Sequence, residues 1–179
     1  MPRITKKYLE NVFRNSNSPD ELFDTFKIAI DRRIQDSSIY RLLLWNKALS
    51  PDEIMMFAEK ICKENPDASY QIYNWVGRIF SSISVYGEHN EKALEYFKKA
   101  AKSNPSAYEP YIAITKLYNA DLNIPVFNIV IKAVEKGLQA VDKKSKLCFA
   151  ISKLYNINGD IESGNSYQKL GEKYQREGR

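Results

Sequence analysis

Histidine and cysteine are almost missing from this chain: its 179 residues include one His and two Cys. The lone histidine, His89, sits in the turn-like stretch Gly87-Glu88-His89-Asn90 with no cysteine or second histidine nearby. It therefore reads as a solvated loop residue, and no metal centre is expected. Cys62 and Cys148 lie far apart, each among helix-patterned residues, which excludes a disulfide framework and points to buried thiols. No apolar run approaches the roughly 18 residues of a membrane span. Met1 to Glu10 is too charged for the core of a secretory leader, so a cytoplasmic location is expected. There is no nucleophile elbow, no phosphate-cradling glycine loop, no HExxH and no cysteine–histidine set. Catalysis, cofactor and metal are accordingly not expected, and carboxylates such as Glu53 and Asp160 read as helix caps.

What is present is uneven charge, repetition and punctuation. The net charge of +5 lies entirely in the second half, since residues 1–89 hold 12 basic and 12 acidic side chains while residues 90–179 hold 15 and 10. Ala113-Ile114-Thr115-Lys116-Leu117-Tyr118-Asn119 recurs 37 residues later as Ala150-Ile151-Ser152-Lys153-Leu154-Tyr155-Asn156. A weaker copy, Val76-Gly77-Arg78-Ile79-Phe80-Ser81, precedes the first by 38. Ser18-Pro19-Asp20-Glu21 and Ser50-Pro51-Asp52-Glu53 are identical. Each reads as a capping box: serine accepts from a free backbone N–H, proline fits the first helical position, and glutamate reaches back. Asn65-Pro66 and Asn104-Pro105 each close a helical run, because proline cannot prolong one.

Between these marks the apolar spacing is helical, as in Leu147, Ala150, Ile151, Leu154 and Tyr155. The pattern predicts ten helices in five pairs: 3–15 with 19–34, 38–48 with 51–64, 69–84 with 90–103, 107–120 with 125–141, and 145–157 with 161–176. Short polar connections make successive helices antiparallel, with each pair burying its apolar face against its neighbours.

These residues resemble tetratricopeptide repeats, a helix–turn–helix family with a period of about 34. The best match runs from Tyr73 through Gly77 and Phe80 to Ala93, Phe97, Ala100 and Pro105. Tyr111, Ile114, Thr115 and Tyr118 follow in the next unit, and Ile151, Ser152, Tyr155, Gly159, Asp160, Gly164 and Gly171 in the last. Small residues let helices approach and aromatics fill the gap. The resemblance implies an all-α fold, an α-solenoid of about five antiparallel pairs in a right-handed superhelix. It also implies a single repeat domain over 1–179, with degenerate pairs in 1–66 and better-matched repeats in 67–176. Departures are longer turns around Ser84 to Glu88 and Asp121 to Ile124, and Ala133 and Ala140, which lie too near the next helix.

In this family the first helices of the pairs line a concave groove that holds peptides. The residues the resemblance would place there are Asn74, Arg78 and Ser81, then Ile112, Lys116 and Asn119, then Phe149, Lys153 and Asn156, each at i, i+4, i+7. Arg78, Lys116 and Lys153 would form a basic ladder for carboxylates, with Asn119 and Asn156 bonding an extended backbone and Ile112 and Phe149 meeting apolar side chains. Solvated lysines copied by duplication are the alternative. The carboxylate clamp of some relatives is incomplete here. The expected partner is thus a protein or peptide, acidic in character. RNA is a second reading, from the basic half and Lys143, Lys144 and Lys146 at a turn. Self-association through terminal helices is a third.

Overall fold

A computed structural model describes residues 5–83, 89–123 and 125–178. Among these are ten α-helices and no β-strand: α1 Lys6–Asn15, α2 Pro19–Asp31, α3 Ser37–Leu44, α4 Pro51–Glu64, α5 Ser69–Ile83, α6 Asn90–Ser103, α7 Glu109–Thr115, α8 Phe127–Leu138, α9 Lys144–Ile157 and α10 Ile161–Arg176. The chain forms two compact units, Met1–Ile79 and Phe80–Arg179.

In the first unit, aromatic side chains fill the space between helices. Phe26 of α2 meets Phe57 of α4 at 4.6 Å and the edge of Tyr40 of α3 at 6.3 Å between ring centroids. Tyr40 is buried, yet its hydroxyl donates to the Ile34 carbonyl at 2.9 Å; burial pushes that phenol up to about 12. The expected helix over 38–48 stops at Leu44, because Asn46 has tertiary bonds that a helix would deny it. Its amide donates to the carbonyls of Phe13 and Ser16 at 2.9 and 3.0 Å, and its Oδ1 accepts from the Ala48 N–H at 2.8 Å. Two carbonyls near the end of α1 are thereby satisfied by a residue about thirty positions on.

Local punctuation behaves in part as the sequence suggests. Ser50 forms the full box with Glu53, whose carboxylate accepts from the Ser50 N–H at 2.7 Å. Ser18 makes only half of one. It accepts from the Glu21 N–H, but the Glu21 carboxylate takes the hydroxyl of Ser16, and that hydroxyl in turn accepts from the Ser18 N–H. Asn65 and Asn104 close α4 and α6 with nearly the same backbone angles, φ −135°, ψ 78° and φ −140°, ψ 87°.

In the second unit, α6 packs on α7, α7 on α8 and α9, α8 on α9, and α9 on α10. Phe80, Ala93, Phe97, Ala100, Ile114, Val130, Val134, Leu147, Cys148 and Ile151 form its core. Cys62 and Cys148 are both buried, and among the described residues neither is in a disulfide. His89 is half-buried rather than solvated: it stands at the head of α6 with its ring 6.0 Å from that of Phe80. The longer turn expected around Ser84 to Glu88 lies outside the described residues, as does Ile124. The largest departure from the sequence pattern is α7, seven residues long instead of a helix over 107–120. Its last turn tightens, with Lys116 and Leu117 donating to carbonyls only three residues back. The carbonyl of Leu117 then accepts from the Asn90 side chain at 3.2 Å.

Candidate functional site

The ladder residues fall into different circumstances. On α5, Asn74 is buried and its Oδ1 has no hydrogen-bond partner among the described residues, while Arg78 one turn later is exposed and Ser81 half-buried. On α7, Ile112 is half-buried and Lys116 is exposed at the C-cap. Asn119 lies beyond the helix, where its Oδ1 accepts from the Leu122 N–H at 3.1 Å and organises the turn.

On α9 the same positions lie against α10. Phe149 is half-buried over Gly171, where a Cβ would come within 2.7 Å of its ring, and Asn156 lies against Gly164, where a Cβ would meet its Oδ1. Seven residues forward on α9 correspond to seven backward on α10, which is the register of an antiparallel pair. The two glycines of α10 thus admit the side chains that the sequence pattern assigns to a groove. Lys153, between them, is exposed. Among the described residues neither Lys116 nor Lys153 takes part in an ion pair or hydrogen bond through its side chain.

The lysine cluster suggested for RNA is engaged with tyrosines. Lys146 donates to the Tyr108 hydroxyl at 3.0 Å and stands 4.8 Å from the centre of that ring, with Lys143 at 5.9 Å from it. Lys144 lies 5.9 Å from the centre of the Tyr174 ring. Cation–π contacts of this kind occupy ring faces that a nucleobase would need for stacking.

A concavity elsewhere escaped the sequence pattern. Between α6 and α8 lies a cleft of about 750 Å³, within the roughly 300–1,000 Å³ range of ligand sites. Lys98 and Lys102 edge it on α6, and Lys132 and Lys136 on α8, each pair at i, i+4. Its floor comes from Tyr111 and Ile114 of α7. Ala133 and Ala140, out of place in the repeat pattern, line this cleft instead. The small residue at the helix crossing is Gly137, where a Cβ would meet the Tyr111 ring at 2.4 Å. The only sequence signal was two Lys-x-x-x-Lys spacings with alanines beside them, a pattern any solvated helix face can carry.

No described helix is long and apolar enough to cross a membrane. Neither a family model nor a curated protein matches the sequence. Among solved structures, "MamA MSR-1 C2" superposes with a TM-score of 0.50 at 14% identity over 97% of this chain and 98% of that one. "MamA AMB-1 P212121" gives 0.49 at 16% identity over 96% and 99%. At such identity the first likeness speaks for fold alone, and the chain accordingly has an all-α, tetratricopeptide-like α-solenoid fold.

Proposed function

We propose that this chain is a protein-interaction module that holds an acidic or C-terminal segment of a partner protein, with Lys116 and Lys153 as its principal cations. The observation that carries this reading is the recurrence of an exposed lysine at the same position of two nearly identical heptads, one at the C-cap of α7 and one within α9, helices that pack against each other. Exposed cations raise the encounter rate with an acidic segment and set its register. Affinity requires desolvated contact beside them, for which the half-buried Ile112 is the candidate. The tetratricopeptide-like fold supports a binding role.

The test is affinity isolation with the wild type against a folded Lys116→Glu, Lys153→Glu variant. Loss of an acidic partner from the variant supports the reading, and equal recovery removes this face from consideration. Nucleic acid carried by the purified wild type, released steeply by salt, would favour the RNA reading instead.

A further inference from the structure

We propose that the cleft between α6 and α8 is a separate docking site for an acidic segment of a partner protein that inserts a bulky apolar side chain between two lysine rails. Counting roughly 100° per residue around α7, Ile112 and Lys116 point roughly 150° away from Tyr111 and Ile114. The cleft therefore lies across α7 from Lys116, and the inference does not rest on the reading above.

Charge is the first argument. Among the described residues no carboxylate lines the cleft. Of the acidic residues beside the rails, Glu95 pairs with Lys99 at 2.9 Å, and Glu135 accepts from two tyrosines. Lys98, Lys102, Lys132 and Lys136 are exposed, and among the described residues none of the four has an ion pair. Four like charges around one concavity repel one another, and they attract an anionic segment into it.

Shape is the second. Ala101, Ala133 and Ala140 leave the walls low, and among the described residues no large side chain fills the space above the fully buried Ile114. At the rim Ile129 is 48% exposed. An apolar floor between cationic rails matches an amphipathic helix or strand with apolar residues flanked by Asp or Glu. It does not match nucleic acid, because the one aromatic ring in the floor, Tyr111, is packed against Gly137. Nor does it match a second copy, since the chain carries a net charge of +5.

Fluorescence anisotropy on the full chain with labelled synthetic peptides tests this. The probes share a helical leucine stripe and differ only in their polar positions, which are Glu, Gln or Lys. A fourth keeps Glu and replaces Leu by Ser. The expected result is saturable binding of the Glu–Leu peptide, weakened by at least about tenfold when Leu becomes Ser, in the Lys132→Glu, Lys136→Glu variant, and in Ala133→Trp, which fills the cleft. The Lys116→Glu, Lys153→Glu variant should bind it as the wild type does. The four lysines are exposed, so their reversal leaves the core intact, and thermal melts check this. The proposal is overturned by an absence of saturable binding, by equal binding of the Ser peptide, or by undiminished binding to both cleft variants. Tighter binding of a single-stranded RNA at Lys132 and Lys136 also overturns it.

Discussion

The rings of Tyr155 and Tyr167 stack 5.6 Å apart at 15°, and both hydroxyls donate to the same oxygen of Glu135, at 2.9 and 2.7 Å. Glu135 is on α8, Tyr155 on α9 and Tyr167 on α10, so one carboxylate ties three successive helices. The aromatic row continues through Phe127 to Tyr118, whose hydroxyl donates to Asn158 at 2.7 Å.

Replacing Glu135 by Ala leaves two half-buried hydroxyls without their acceptor, and the expected loss is about 1–3 kcal/mol in urea denaturation. The pH dependence follows from the same contact. Burial, reinforced by the Glu135 hydrogen bond and charge, pushes Tyr155 up to about 12, and Tyr167 rises for the same reasons. In the unfolded chain both phenols ionise near about 10. Their contribution is thus complete below about pH 10 and is lost as pH rises above it, that of Tyr155 through about 12. In Glu135→Ala the decline should start at the same pH, set by the unfolded phenols, but end at lower pH and be smaller, and coincident profiles for the two proteins would refute the arrangement.

Gly171→Ala should destabilise by about 1–3 kcal/mol, even though alanine is the better helix former by about 1 kcal/mol. The added Cβ meets the Phe149 ring at 2.7 Å and Cys148 at 3.2 Å. In a Phe149→Ala background the same substitution should cost less, a coupling that a double-mutant cycle measures. If Gly171→Ala is neutral in the wild type, Phe149 moves aside freely and is available to a partner.

The identical tetrapeptides should behave differently. Ser50 and Glu53 bond reciprocally, whereas Glu21 serves Ser16. Ser50→Ala should cost about 1 kcal/mol. Ser50 and Glu53 should be coupled in a double-mutant cycle, and Ser18 and Glu21 additive within about 0.5 kcal/mol. The Ser50 N–H, first, and its hydroxyl hold the Glu53 carboxyl below its usual range. The difference between wild type and Glu53→Gln should therefore persist above about pH 4 and vanish as pH falls through the lowered value.

Ten helices and most of their ends were legible because caps, prolines and apolar spacing act over a few neighbouring residues. Pro51 and Pro66 mark boundaries in the structure as they do in the sequence. The candidate site was legible only as residue types on helix faces. Nothing in the spacing of Phe149 and Asn156 reveals that α10 presents glycines opposite both. Nothing in the spacing of Lys98 and Lys132 reveals that their helices flank one cleft, since that depends on Tyr111 settling onto Gly137 from a third helix.

The two copies of the repeated heptad separate the two levels. Ala150 to Asn156 is helical throughout, and α9 runs on to Ile157 before Gly159, at φ +87°, turns the chain. In Ala113 to Asn119 the helix ends at Thr115, Lys116 and Leu117 form a tight turn, and Asn119 supports the loop that follows. Sequence alone determined that each heptad starts on a helix with its lysine away from the apolar stripe, because both properties come from side chains within one or two turns. Only the tertiary structure decided where each helix stops. The last carbonyls of a helix need partners: α9 reaches a glycine that closes it locally, while the chain after α7 receives a donor from Asn90, about thirty residues away.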